Sequence, residues 1–384
     1  MSQLSTASTA STSALDAYEP SLDGMRGVCI IAVVVFHACA VAGLDGWMRG
    51  GFIGVSVFFT LSGFLITSLL LREHGTTGRI HLSSFWARRI RRLWPASFVV
   101  VLVVIILSAT AHLAARASDA VAATWSVTNW HVIAGGEGKL LQTIVGPLGP
   151  TWSLAVEEQF YIVLALLLVV VARSRRPEVV LTTIAALGVL VPVVLSNVLT
   201  DWQPSLEFNT LLRMPELFMG VLLAVWHGGG RRRVGGAATA DVVAGAGLAV
   251  LVGLFLFVDY SPPWLLRGGY ALVALVAALT LAGLLQRGRV ARLLSWPPLR
   301  WLGTVSYSLY LVHWPVMSVL TRDRTGYEGW LLAGIVVAVS VSVAWALHLF
   351  VERPVRRMRT APATTIVAGG LSAAALTALA LVLL

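Results

Sequence analysis

Eleven stretches of about 18 to 25 mainly apolar residues run through this chain, each long enough to cross about 30 Å of hydrocarbon as a helix. They fall near 27–44, 51–71, 95–113, 152–172, 178–197, 209–227, 238–258, 268–285, 301–320, 330–350 and 361–384. Lipid offers no partner for a peptide group, so stretches of this length fold as helices with their hydrogen bonds closed internally. The predicted fold is an all-α polytopic membrane bundle, with ten core spans inside residues 19–357 and an additional transmembrane helix over 358–384. At 57% hydrophobic and 12% charged residues, the chain is excluded from the soluble globular class. Residues 1–18 are rich in Ser, Thr and Ala and lack the basic start of a signal peptide; they are predicted to be a disordered cytoplasmic tail that is not cleaved.

Basic residues set the orientation. With the amino terminus inside, 21 of the 28 Lys and Arg fall in cytoplasmic segments, among them Arg231 to Arg233 and the run from Arg353 to Arg359. The carboxyl end then emerges outside. The net charge of +10 reports this topology and anionic lipid, so no nucleic-acid partner is expected. Trp47, Trp94, Trp152, Trp202, Trp264, Trp301 and Trp330 fall near span ends, as interfacial anchors do. Cys29 and Cys39 share the first span, which argues against a disulfide framework and points to packing or lipid-facing roles. The outer connection over 114–150 is long enough to serve as a lid or rim.

Ionisable residues inside spans cost a few kcal/mol each and are candidate sites. The stretch "RGVCIIAVVVFH" separates Arg26 from His37 by eleven residues, almost three helical turns, so both share one face about 16 Å apart. The fourth span opens "TWSLAVEEQFY", with Glu157 about two turns in; the sixth holds "RMPELFMG", where Arg213 and Glu216 can pair. In the ninth, "SYSLYLVHWP" spaces Tyr307, Tyr310 and His313 by three. By depth, His37, His313, Glu157, Arg213 and Glu216 are expected to meet in one cavity in the outer half, with a purely structural ion-pair network as the alternative. Trp152 and Ser153 are assigned to that cavity with Tyr307 and Tyr310.

At the inner side, "FWARRIRRLWP" clusters Arg88, Arg89, Arg91 and Arg92 before Pro95, which is expected near the start of a helix. Guanidinium forks clasp phosphate, whereas a topology signal is indifferent to clustering. No His spacing suits a metal, and none is predicted.

Taken together, "LDGMRGVCIIAVVVFH", "GVSVFFTLSGFLIT", "FWARRIRRLWPAS", "TWSLAVEEQFYIV", "RMPELFMGVLLA", "YSLYLVHWPV" and "ERPVRR" resemble, in order and spacing, the acyltransferase family 3 membrane proteins over about 20–357. One departure is Ser56, where that family often carries an acid. The resemblance implies transfer of an acyl group, commonly acetyl, from cytosolic acyl-CoA to hydroxyls of glycans outside the membrane, in a bacterial inner membrane. Coenzyme A phosphates are then expected on Arg26, Arg88, Arg89, Arg91 and Arg92, with the thioester brought towards His37.

His37 is expected to act as general base, its tautomer fixed by a partner such as Glu157; an acyl-histidine intermediate is the rival, and both need an unprotonated ring. A glycolipid transporter or flippase using the same cavity without chemistry, and a scaffold within an envelope complex, are the competing classes. The last span ends at Leu384 without a polar flank, which suggests a segment of a longer protein; some relatives of this kind carry an extracytoplasmic SGNH-type domain, fused or separate.

Overall fold

The computed structural model of the protein describes residues 18–135, 146–198, 203–228 and 235–384. Most of the amino-terminal tail, Trp202, the middle of the 114–150 connection and Arg231 to Arg233 lie outside the described residues. In chain order the helices are α1 (Pro20–Ala42), α2 (Gly54–Thr77), α3 (Leu82–Ala109), α4 (Ala117–Thr124), α5 (Thr128–Gly135), α6 (Thr151–Val171) and α7 (Pro177–Val198). They continue with α8 (Gln203–Phe208), α9 (Thr210–Gly228), α10 (Ala237–Phe257), α11 (Tyr270–Leu284), α12 (Arg289–Leu294), α13 (Pro297–Val319), α14 (Arg322–Thr325), α15 (Gly329–Leu347), α16 (Arg353–Arg357) and α17 (Pro362–Leu383). No strand occurs among the described residues, and the architecture is an all-α polytopic bundle.

Ten helices among the described residues are long and apolar enough to cross a membrane. They match ten of the eleven expected spans; the remaining one, α13, has 23 residues but carries the Ser, Tyr and His stripe that lowers its apolarity. Instead of facing lipid, α13 packs among α1, α3 and α15. The outer surface is apolar in the manner of lipid-facing helices: Ile162, Val163, Leu166 and Val170 of α6 and Leu187, Leu190 and Val194 of α7 are exposed.

Helix ends follow local chemistry. Pro20 opens α1, and Gly43, at φ 74°, ends it in the left-handed conformation that glycine adopts without Cβ strain. By contrast, α3 starts well before the expected residue 95, and Pro95 lies inside it. The basic run is therefore helical, and its arginines divide between two faces.

Glycine sets the closest helix approaches. A Cβ on Gly24 would lie 1.7 Å from the Leu294 carbonyl oxygen, one on Gly27 2.2 Å from that of Leu299, and one on Gly303 1.8 Å from that of Asp23. These contacts draw α1 against the end of α12 and the start of α13. The two helices run in the same direction, so their polar residues come level in pairs. Gly63 and Gly220 do the same for α2 and α9. At the other edge, α17 lies along α3, with Gly369 over the Trp94 ring.

Candidate active site

Two adjoining spaces that share part of their lining lie at the end of the bundle where α1 begins. The outer one, a vestibule of about 520 Å³, is bordered by Tyr18, Asp23, Glu352 and Arg356. Burial, followed by the bond to Asp23, pushes the Tyr18 hydroxyl above its ordinary pKa, so it stays a donor; it bonds the Asp23 carboxylate at 2.5 Å. Arg26, Leu65, Arg89 and Arg92 border both this vestibule and a deeper cavity of about 100 Å³. Glu352, in the "ERPVRR" motif, accepts hydrogen bonds from Ser308 (2.9 Å) and from His348 Nδ1 (2.9 Å), tying α13 to the turn after α15.

Three guanidinium groups thus stand at the neck. Arg26 donates from Nη2 to Ser306 Oγ at 2.9 Å and lies 3.5 Å from Asp23, which holds its fork across the α1–α13 seam. Arg89 sits over the Tyr161 ring, 4.6 Å from its centroid. Arg92, one turn further along α3, faces the same space. Arg88 and Arg91 occupy the other faces: Arg88 pairs with Glu73 at 2.9 Å, and Arg91 donates to Thr360 and Thr365 near α17. The expected cluster of four is therefore split by helix periodicity into an inward pair and an outward pair.

Inside the cavity, Ser153, Glu157 and Tyr161 line one face of α6 at spacings of four. The Glu157 carboxylate accepts from Ser62 (2.8 Å) and Tyr161 (3.0 Å). Tyr307 donates to the Leu93 carbonyl at 2.7 Å. The far wall is Tyr310, whose hydroxyl donates to the Pro150 carbonyl at 3.0 Å and lies 2.7 Å from Ser153 Oγ. Beyond it, one turn along α13, His313 donates from Nδ1 to the Tyr310 carbonyl at 2.7 Å, and His313 Nε2 lies 3.2 Å from His37 Nδ1. His37 is 6% exposed and His313 fully buried, with the Trp314 ring 5.0 Å from that of His37.

The expected single cavity for five ionisable residues does not form. His37 meets His313, not Glu157, because Glu157 points from α6 into the space behind Tyr310 and is already taken by Ser62 and Tyr161. The cavity ends at Tyr310 and Ser153, whose hydroxyls lie 2.7 Å apart, and neither imidazole lines it. Arg213 and Glu216 form a separate bidentate pair at 2.7 and 2.8 Å, with side-chain exposures of 2% and 0%. The Tyr270 ring lies 3.7 Å from the guanidinium and Trp152 5.2 Å, so Trp152 is a buried packing residue and not an interfacial anchor. Ser56, the residue that departs from the family pattern, lies 3.4 Å from Arg213, and Glu216 supplies the countercharge there. Both cysteines are free and buried.

Ser62, Ser306 and Trp314 are not singled out by the sequence reading, although each lies in a quoted motif. A hydroxyl in an apolar helix looks like ordinary packing until its partner on another helix is known. Trp314 donates to the Gly146 carbonyl at 2.9 Å, which anchors the end of the long connection over α13.

Residues 19–349 match a family model described as "Acyltransferase domain", that of acyltransferase family 3. The chain is 34% identical over 354 residues to "Peptidoglycan O-acetyltransferase OatA" of Listeria monocytogenes, covering 88% of this chain and 56% of that relative. It is 30% identical over 357 residues to "O-acetyltransferase OatA" of Staphylococcus aureus, covering 88% and 57%. The chain thus spans little more than half the length of these relatives. No solved structure matches it. With ten apolar helices and a family match across most of its length, the chain is a multi-pass membrane protein that belongs to acyltransferase family 3.

Proposed function

We propose that the protein is a membrane O-acyltransferase that moves an acyl group, acetyl in the first instance, from acyl-CoA on the cytoplasmic side to a hydroxyl of an extracytoplasmic glycan. The observation that carries this is the neck where Arg26, Arg89 and Arg92 border both the vestibule and the cavity that ends at Tyr310, one turn of α13 before His313. Three converging guanidinium groups suit the phosphates of a nucleotide-bearing acyl donor, and a narrow passage beyond them suits its extended arm. The name of the Listeria monocytogenes relative favours peptidoglycan as the acceptor. An SGNH-type domain, fused or separate, is the partner proposed on the outer side, and a bacterial inner membrane with a cytoplasmic amino terminus is the proposed location.

In this mechanism the thioester carbonyl advances past Tyr310 and Ser153 to His37. Neutral His37 takes the proton of the acceptor hydroxyl as the oxygen attacks the carbonyl; the C–S bond breaks, and the proton passes to the departing thiolate. Glu157 serves the cavity as a fixed acceptor for polar groups of the donor. A direct test is equilibrium binding of labelled acetyl-CoA to the purified protein in nanodiscs. Saturable binding that is lost on substituting Arg26 and Arg92 supports the proposal; absence of binding by the unsubstituted protein overturns it.

A further inference from the structure

The two imidazoles constrain each other more tightly than acyl transfer alone requires. A carbonyl oxygen only accepts, so the 2.7 Å contact with Tyr310 fixes the proton of His313 on Nδ1. A neutral imidazole carries one N–H, which makes Nε2 of His313 an acceptor. Its 3.2 Å contact is then a hydrogen bond only if His37 donates from Nδ1. His37, when neutral, is left with its lone pair on Nε2.

We infer that His313 is a positioning residue that sets the tautomer of His37, so that Nε2 of His37 is the atom that receives the acceptor proton or the acyl group. This inference rests on the role proposed above for His37. The surroundings agree with it. Phe36, Trp314 and Tyr310 flank the pair, the Val33 carbonyl one turn earlier in α1 also accepts from His37, and among the described residues no carboxylate bonds to either ring. A histidine used as a base is commonly oriented by a carboxylate, which would place a lasting negative charge in the membrane interior at a cost of a few kcal/mol. A second imidazole, itself anchored to a backbone carbonyl within its own helix, orients the ring without that charge. When Nε2 takes up a proton, Nδ1 of His37 continues to donate to His313, so the ring does not turn during turnover. Arg26 and Glu157 keep to the other side of Tyr310, and the Arg213–Glu216 pair is engaged elsewhere, with Ser56 and the Glu207 carbonyl.

The tautomer can be read without any activity measurement. Nitrogen-15 spectra of histidine-labelled protein in nanodiscs, with the His37 signals assigned by their loss in His37→Gln, are expected to show Nδ1 protonated and Nε2 unprotonated. A proton on Nε2 of His37 in the unsubstituted protein overturns the inference, whatever the enzyme does. For the kinetic consequence, His313→Leu is expected to lower kcat about 100-fold with the KM for acetyl-CoA unchanged, and His313→Gln, whose amide oxygen accepts in place of Nε2, to recover part of it. Equal loss in both variants, or a loss carried by KM, contradicts a positioning role. If His37→Gln itself leaves turnover intact, the proposed catalysis fails while the spectra still decide the tautomer.

Discussion

Splitting the basic run of α3 into two faces has a consequence that the clustering of its arginines does not. Arg89 borders the neck over the Tyr161 ring, while Arg88, one residue earlier, pairs with Glu73 at the surface with 45% of its side chain exposed. A guanidinium–phosphate bond in a partly buried site contributes about 1.5–3 kcal/mol, so Arg89→Gln is expected to weaken acetyl-CoA binding about 10- to 150-fold. An exposed ion pair contributes about 0–1 kcal/mol and makes no contact with the donor, so Arg88→Gln is expected to change binding less than about threefold. Isothermal titration of both variants side by side separates the two faces, because each substitution removes one charge from the same helix turn. Equal weakening would mean that the arginines act through long-range charge, and the assignment of Arg89 to the neck would be wrong.

Further substitutions probe the frame around the site. Glu216→Gln strands the buried Arg213 cation and is expected to cost about 3–5 kcal/mol in detergent-titrated unfolding, most of it regained when Arg213→Met is added. Gly303→Ala drives a methyl group into the Asp23 carbonyl and is expected to cost about 3 kcal/mol and to weaken acetyl-CoA binding through Arg26; Gly334→Ala, with open space around it, is expected to be neutral or stabilising by up to about 1 kcal/mol in the same melts. Tyr310→Phe removes the hydroxyl that bonds Pro150 and lies against Ser153, and is expected to lower unfolding stability by about 1–2 kcal/mol; an unchanged melt would show that this contact does not hold the boundary.

Much of this was legible in the sequence for reasons of period and solvent. Apolar length located ten of the spans, since lipid leaves the backbone no alternative to a helix. The eleven-residue interval from Arg26 to His37 placed both on one face of α1, and the three-residue spacing of α13 gathered Tyr307, Tyr310 and His313 on one side of that helix, of which the two tyrosines line the cavity and His313 lies outside it. What periodicity along one helix cannot supply is rotation about its axis relative to its neighbours. Depth alone put Glu157 level with His37, but α6 turns Glu157 towards Ser62 and Tyr161, and His313 takes its place beside His37. The same ignorance of rotation made four arginines look like one cluster. Pro95, read as a helix start, misled in another way: α3 continues through it, and only that longer helix gives its arginines a common periodicity.

The central claim is that an acyl group enters at the guanidinium neck and leaves on the other side of the bundle through His37. Liposomes holding the purified protein, given acetyl-labelled acetyl-CoA on the Arg26 side and muropeptide on the opposite side, test it most directly. The label is predicted to reach the opposite side as muropeptide ester or free acetate, in proportion to coenzyme A released, and to stop with His37→Ala. Transfer that persists in His37→Ala, or label that never crosses while acetyl-CoA stays intact, would contradict the account.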